Sequence, residues 1–305
     1  IGYGRALIAT GGEPFVPRIE GLGRGVQTFT SWADAARLDK AIRPGQRALV
    51  LGGGLIGLKA AEALRRRGLD VTLVELARGI LTLSLDERGS ELAGECLREM
   101  GVKVICGNTV QRMETRRGER TAVLRDGASI PHDVFVCAVG VRPNAEIARA
   151  AGLEANRGVV VNERLETSAP DVYAAGDVTE GLDLLLSQKR PLPVWPSASR
   201  QGRIAGRNMA GADAVHEGGF AMNSVQINDV PFISAGLTDA TGEAVESLER
   251  FDPRRKEYRR VVLRDNRIVG FVAVAAVDRA GIYTGLMRDR VDVALRRNDF
   301  HWSPG

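Results

Sequence analysis

The chain has 305 residues, 44% apolar and 26% charged, with 42 basic and 38 acidic side chains giving a net charge of +4. That length supports two or three domains with real cores, and the composition excludes disordered and fibrous classes. So weak a basic bias, without interleaved aromatics, argues against nucleic acid; no apolar run approaches a membrane span and no signal peptide is visible, so a cytoplasmic protein is expected.

The 36 glycines are well above average usage of roughly 7%. They cluster in short loops, which favours tight turns and close backbone approaches to ligands. Cys96, Cys106 and Cys137 are too widely separated for a CxxC pair and lie in apolar surroundings. They read as buried small hydrophobes in a reducing compartment, not as disulfides, a redox pair or cluster ligands. No metal is expected.

The first residue is Ile1, and "RALIATGG" (5–12) already reads as a strand entering a glycine turn, so the chain is expected to begin inside a domain, as a fragment. The strongest local signal follows in "RALVLGGGLIGLKAAEALRRRGLDVTLVELA" (47–77). A strand over 47–51 runs into the turn Gly52, Gly53, Gly54, and a helix opens at Leu55, Ile56 and Gly57 and ends before Gly68. A second strand over 70–75 ends in Glu75. This is GxGxxG between strand and helix, with an acidic residue at the next strand end. Gly52 permits the tight turn, Gly54 a close approach to pyrophosphate, and Gly57 with Ala61 close helix–strand packing. The helix amino end supplies free N–H groups and a positive dipole for the phosphates. Glu75 suits the two adenosine ribose hydroxyls and repels a 2′-phosphate, so NADH is preferred over NADPH. Arg78 either softens that preference or is a solvated surface charge.

Downstream, "DERGSELAGECLREM" (86–100) reads as a helix and "VKVIC" (102–106) as a strand. Two hairpins turn near Gly118 and at Asp126-Gly127. The strand "DVFVCA" (133–138) completes a βαβαβ unit carrying an antiparallel meander. His132 reads as a loop residue with no catalytic role. In "VYAAGDV" (172–178) a strand ends at Gly176 and Asp177 stands where the chain leaves the sheet. That placement suits a ligand offering hydroxyls; the other reading is that Asp177 N-caps whatever follows. A helix is expected from about Ser197, after Trp195-Pro196, with Trp195 alternatively an ordinary core aromatic.

From about residue 214 the sequence becomes β-rich, with a hairpin turning at Asp265-Asn266 and helical patterns after Ala280. The run "RRKEYRR" (254–260) could dock an acidic electron carrier or be a solvated strand face. His216 and His301 have no carboxylate partner or motif context.

The ordered motifs "LIATGG" (7–12), "LGGGLIG" (51–57), "LVE" (73–75), "CAVGVRPN" (137–144), "YAAGDV" (173–178) and "SRQGRIAGRNMAG" (199–211) resemble the FAD-dependent pyridine nucleotide-disulfide oxidoreductase superfamily. The resemblance is closest to the branch of NADH-dependent rubredoxin reductases and the flavoprotein part of NirB-type nitrite reductases. It implies an α/β fold: a Rossmann-like NAD module (32–141) inserted in a partial FAD domain (1–31 and 142–213), followed by an α+β interface domain (214–305) that pairs subunits in a homodimer. It assigns Asp177 to ribitol-side hydroxyls of FAD, Gly176 to close backbone approach, and Thr10 and Gly11 to the junction of the FAD and NAD domains. Ser197 and Ala198 open the helix aimed at the flavin, and Gly140 joins the NAD set. The family's first FAD-binding βαβ is expected upstream of Ile1, so the half-site within this chain is expected to hold FAD poorly.

The implied activity is hydride transfer from NADH to flavin, with electrons passed to a redox protein such as rubredoxin and no side chain acting as acid or base. The alternatives are a CoA-disulfide, persulfide or peroxide reductase whose redox cysteine lies upstream of Ile1, and a flavin-free NADH-binding module.

Overall fold

The structure, a computed structural model, describes residues 2–23, 25–240, 242 and 244–295. His301 lies outside the described residues. Strands β1 (Ala6–Ile8) and β2 (Gly12–Pro14) flank the first glycine turn, and helix α1 (Trp32–Ala41) follows, opened by a reciprocal capping box between Ser31 and Asp34. The next elements alternate: β3 (Arg47–Leu51), α2 (Leu55–Arg66), β4 (Asp70–Glu75), α3 (Glu87–Glu99) and β5 (Lys103–Cys106). A meander of β6 (Val110–Arg116), β7 (Glu119–Leu124) and β8 (Ser129–His132) precedes β9 (Val134–Cys137). The parallel sheet has the order β5-β4-β3-β9.

This sheet is buried on both faces, which is why its strands are nearly continuous apolar runs. Alternate residues serve different cores. Ala48, Val50, Leu73, Val134 and Val136 pack against Leu58, Ala61 and Leu92 of α2 and α3. Leu49, Leu51, Val74, Phe135 and Cys137 face Ala122 and Leu124 of the meander. The meander turns at Arg117-Gly118 and at Gly127, all with positive φ, as the glycine signals predicted. His132 departs from its expected loop: it is the last residue of β8, paired across from Arg120, and is buried beside Phe135 with ring centroids 6.0 Å apart. Burial pushes its pKa below the ordinary histidine value, so it is a neutral core side chain.

The chain then crosses back. Strand β10 (Val141–Pro143) pairs antiparallel with β2, and α4 (Glu146–Ala150) follows. Strand β11 (Val159–Val160) leads to β12 (Val172–Ala174), which lies parallel to β1. Strands β13 (Thr179–Asp183) and β14 (Gln188–Pro191) complete a sheet with β11, and α5 (Trp195–Met209) packs its buried residues Gln201, Ala205 and Asn208 inward. No helix of the described residues is long and apolar enough to cross a membrane.

The last unit is a five-stranded antiparallel sheet: β15 (Met222–Ile227), β16 (Val230–Gly236), β17 (Val245–Asp252), β18 (Glu257–Arg264) and β19 (Arg267–Val274), with α6 (Ala280–Arg288). Its β18–β19 hairpin turns at Asp265 and Asn266, both at positive φ, as a tight two-residue turn requires. One face lies under α6, where Phe271 meets Tyr283 edge-on. The other face gives Ile227, Phe232, Tyr258, Val272 and Val274 to the core of α2 and α3.

A polar knot fixes that contact. Asp86 is buried, caps α3 by accepting from Gly89 N–H at 3.1 Å, and also accepts from the Tyr258 hydroxyl and from Arg260 Nη1 at 3.3 Å. Burial and the adjacent carboxylate push the Tyr258 phenol well above its ordinary pKa. Asp86→Ala deletes the cap and leaves the half-buried Arg260 with Glu249 as its remaining ion-pair partner among the described residues; urea denaturation is expected to show a loss of about 3 kcal/mol. Tyr258→Phe, which removes one donor, is expected to cost about 1 kcal/mol.

A second clamp closes the amino ends of β3 and β9. Arg47 N–H, Nε and Nη2 donate to the Asp133 carboxylate at 2.8, 3.2 and 3.0 Å. These hydrogen bonds hold the Asp133 pKa down at about 2. A depressed carboxylate stabilises the fold above its unfolded pKa near 4, and that gain is lost as pH falls toward the folded value. Acid titration of stability is therefore expected to fall more steeply between about pH 4 and pH 2 in the wild type than in Arg47→Met. Solvent access to the pair keeps the difference small.

Candidate functional site

The carboxyl ends of β3, β4 and β9 bring the first cluster together. Gly52 turns at φ +110, and a Cβ there would fall 2.3 Å from Ala138 O. A Cβ on Gly57 would sit 1.9 Å from Gly52 O, so the first turn of α2 rests directly on the turn that precedes it. Gly54 is different: it is exposed, and a Cβ there would meet nothing within 4 Å. The protein itself does not need a glycine at Gly54; a ligand approaching the backbone does. Gly54 is also the N-cap of α2 with no side-chain cap, and the turn of Leu55, Ile56 and Gly57 contains no acidic side chain. The amino end of α2 thus presents amides and positive dipole to an anion.

Glu75 ends β4 beside this turn. Its Oε2 accepts from Gly53 N–H, and its Oε1 accepts from Ala77 N–H at 2.6 Å. Each oxygen keeps a second lone pair, enough for two vicinal hydroxyls. Arg78 is exposed. Gly140 lies past the end of β9, at φ +131 and exposed, and its carbonyl accepts from Phe15 N–H at 2.9 Å.

The second cluster forms where parallel β1 and β12 end, with Ile8 level with Ala174. Thr10 and Gly11 leave the sheet there beside Gly176 and Asp177. The Thr10 hydroxyl donates to Asn144 O at 2.6 Å, and Asn144 N–H donates to Gly11 O at 2.9 Å, tying this end to β10. Strand β13 begins two residues after Asp177, so no helix is there to cap and the N-cap reading is excluded. The Asp177 carboxylate is half-buried and has no hydrogen bond or ion pair among the described residues; burial pushes its pKa up. It is an acceptor without a donor.

Gln201 aims that turn. Its Oε1 accepts from Gly176 N–H at 2.7 Å and lies 3.1 Å from the Thr179 hydroxyl, which is 2.8 Å from Gly176 O. Gln201 was not singled out from the sequence; its signal was an amide side chain in the otherwise small, buried stripe of Gln201 and Ala205. A Cβ on Gly176 would lie 3.6 Å from Ala198 Cβ, so the first turn of α5 stands over the glycine turn. Ser197 and Ala198 contribute less backbone than expected, since both amides donate to Val194 O at 3.0 and 3.1 Å. What Ser197 does offer is a buried Oγ with no hydrogen-bond partner. Trp195 is 81% exposed, which overturns its reading as a core aromatic.

The basic run at 254–260 is largely neutralised within the fold. Lys256 pairs with Glu99, Arg259 with Asp278, and Arg260 with Asp86 and Glu249. All three cysteine thiols are pushed up by burial, so none is a poised thiolate.

The chain belongs to the family described as pyridine nucleotide-disulphide oxidoreductase, which matches residues 1–202, and the rubredoxin NAD+ reductase C-terminal domain matches residues 222–291. It is 35% identical over 240 residues to an NADH oxidase of Methanocaldococcus jannaschii, covering 77% of this chain and 53% of that protein. It is 29% identical over 296 residues to the NAD(P)H nitrite reductase of Bacillus subtilis, covering 96% of this chain and 36% of that protein. The fold superimposes on an NAD-dependent persulfide reductase from A. fulgidus with a TM-score of 0.89 at 28% identity, covering 99% of this chain and 59% of that one. The chain therefore spans between about a third and three fifths of the length of these relatives. The family resemblance carried by the six ordered motifs is borne out.

Gln201→Ala is expected to leave the Gly176 amide without its acceptor and to lower stability by about 1–3 kcal/mol. Gln201→Glu, which retains an acceptor oxygen, is expected to recover most of that loss, as thermal unfolding of the pair would show.

Proposed function

We propose that this chain is part of an FAD-dependent NADH oxidoreductase that takes hydride from NADH and passes electrons to a redox-protein acceptor. The observation that carries the reading is the pair of strand-end clusters, each holding acceptors aimed at hydroxyls, Glu75 in one and the donor-less Asp177 in the other. We assign residues 32–141 to NAD binding, 1–31 with 142–213 to the flavin side, and 214–305 to pairing of subunits in a homodimer.

In this reading the α2 amino end at Gly54, Leu55, Ile56 and Gly57 takes the NADH pyrophosphate, Gly52 and Gly53 shape the turn, and Glu75 accepts the adenosine ribose hydroxyls, which favours NADH over NADPH. Gly140 keeps the neighbouring strand end free of side chain. On the flavin side Asp177 accepts ribitol-side hydroxyls, Gly176 and Gly11 let the ligand come close, and Thr10 holds the crossing to β10. The lone Ser197 Oγ and the acid-free first turn of α5, with Ala198 packed on Gly176, fit the electron-rich edge of a flavin. When bound, FAD supplies two-electron acceptance and onward electron release. The residues here bind, orient and exclude water; none must transfer a proton.

An acidic electron carrier such as rubredoxin fits the exposed face of α5 better than the run at 254–260. Trp195, Arg200, Arg203 and Arg207 lie exposed along that face without an acidic side chain between them. The persulfide-reductase reading, supported by the likeness to the A. fulgidus enzyme, needs a redox cysteine upstream of Ile1, because the three cysteines here are held as thiols by burial.

Gly54→Val tests the assignment because the fold has room for the side chain. Thermal stability is expected to fall by no more than about 1 kcal/mol, the cost of valine at an N-cap, while NADH fluorescence titration shows affinity falling at least tenfold. Unchanged NADH affinity would sink the reading. For the acceptor, charge reversal at Arg203 and Arg207 together is expected to slow electron delivery to an acidic carrier about tenfold at low salt, less at high salt, and to leave reduction of a small-molecule acceptor unaltered.

A further inference from the structure

Gly52, Gly53 and Gly54 stand in a row, so the peptide between Gly53 and Gly54 is free to rotate unless a group outside the turn holds it. Leu81 holds it: its N–H donates to Gly53 O at 3.0 Å. In a trans peptide the C=O and the N–H that follows it point in opposite directions, so this bond turns Gly54 N–H away from Leu81 and out of the buried side of the turn. Gly54 N–H has no acceptor among the described residues. We propose that Leu81 is a positioning residue for the anion-binding amide of Gly54, and that the Asp86 knot seats its loop, so that dinucleotide affinity depends on the five-stranded sheet.

Leu81 does this from a backbone conformation that leucine seldom takes. Its φ is +59, in the left-handed region that a branched side chain adopts only when its surroundings impose it. Its carbonyl accepts from Ser84 N–H at 2.8 Å and from Leu85 N–H at 2.9 Å, closing the chain into a tight turn. Its side chain is buried in the α2/α3 core together with Ile80 and Leu85. A Cβ on Gly53 would lie 2.8 Å from Ile80 Cδ1, and a Cβ on Gly79 would lie 2.2 Å from Ser90 Oγ, so the loop is wedged between the glycine turn and α3. Glycine at 81 would take the same φ freely, but it would give the loop no anchor in the core.

The far end of the loop is the knot. Leu85 is followed directly by Asp86, which caps α3 through Gly89 N–H at 3.1 Å and accepts from the Tyr258 hydroxyl and from Arg260 Nη1 of β18. The path from the glycine turn to β18 thus runs through Gly53 O, Leu81, Leu85 and Asp86, each joined to the next by a hydrogen bond or a peptide bond. Farther along α2, Lys59 Nζ donates to Gln226 O of β15 at 3.1 Å, so the helix that receives the anion is held to the same sheet. A loosened sheet therefore loosens the loop, and a loosened loop lets the Gly54 amide turn away from the ligand. This rests on the dinucleotide reading of the glycine turn.

The test is NMR titration of the full chain with ADP-ribose, which carries the pyrophosphate, and with adenosine, which carries none. The first variant replaces Leu81 by its α-hydroxy acid, which puts an ester oxygen in place of the N–H and keeps the side chain. Ile80 O accepts no hydrogen bond among the described residues, so the donation to Gly53 O is the one bond deleted. This variant is expected to bind ADP-ribose about tenfold more weakly and adenosine within about twofold of wild type. Tyr258→Phe, which takes one donor from Asp86 far from the turn, is expected to weaken ADP-ribose about threefold and again to spare adenosine. A folded ester variant with wild-type ADP-ribose affinity, or one that loses adenosine equally, overturns the positioning role. Wild-type ADP-ribose affinity in Tyr258→Phe overturns the dependence on the sheet, whether or not the ester variant folds. A wild type that binds neither ADP-ribose nor NADH would overturn the dinucleotide reading itself, and this inference with it.

Discussion

The contact between Gly57 and the carbonyl of Gly52 is the constraint from which the site follows. With room for no atom beyond the glycine Cα, α2 is seated directly on the end of β3, and its amino terminus stays at the carboxyl edge of the parallel sheet. That edge already collects Glu75 from β4 and the 138–140 segment from β9. Close packing thus gathers amide donors and a carboxylate at one edge without a dedicated loop. The remaining glycine, Gly54, has no packing reason to be small, which separates the part of the motif that serves the fold from the part that serves a ligand.

The same logic recurs at the second edge with a different donor balance. Parallel β1 and β12 deliver Thr10, Gly11, Gly176 and Asp177 together, and the buried Gln201 of α5 holds the Gly176 amide. Asp177 then carries a carboxylate that is unpaired among the described residues and partly desolvated, a costly arrangement unless a ligand supplies the donors. The links between Thr10 and Asn144 and between Phe15 and Gly140 join the two edges. Distal to both, Asp86 with Tyr258 and Arg260 couples the α2/α3 layer to the five-stranded sheet, so the two units share one core.

Much of this was legible because local chemistry and fold agreed. The strand, helix and strand over 47–75, the turns at Gly118, Gly127 and Asp265-Asn266, and Asp177 at a strand end are each dictated by neighbouring residues. What was not legible depends on distant ones. His132 looked like a loop residue because Pro131 and Asp133 flank it; tertiary pairing with Arg120 makes it strand. Trp195 reads as core by its type, yet lies at the exposed amino end of α5. The 254–260 run reads as a basic patch only until Glu99, Asp278, Asp86 and Glu249, far away in sequence, are brought beside it. Gln201 gave a weak signal because one buried amide in a helix names no partner.

In the proposed reaction the glycine turn at 52–57 holds the NADH that reduces a flavin bound beside Asp177. The most direct measurement is the visible flavin spectrum of the protein in saturating FAD on anaerobic addition of NADH, recorded for wild type and for Gly54→Val. The account predicts that the flavin band bleaches in wild type and persists in Gly54→Val, while dithionite bleaches both. Equal bleaching of the two proteins by NADH would contradict it.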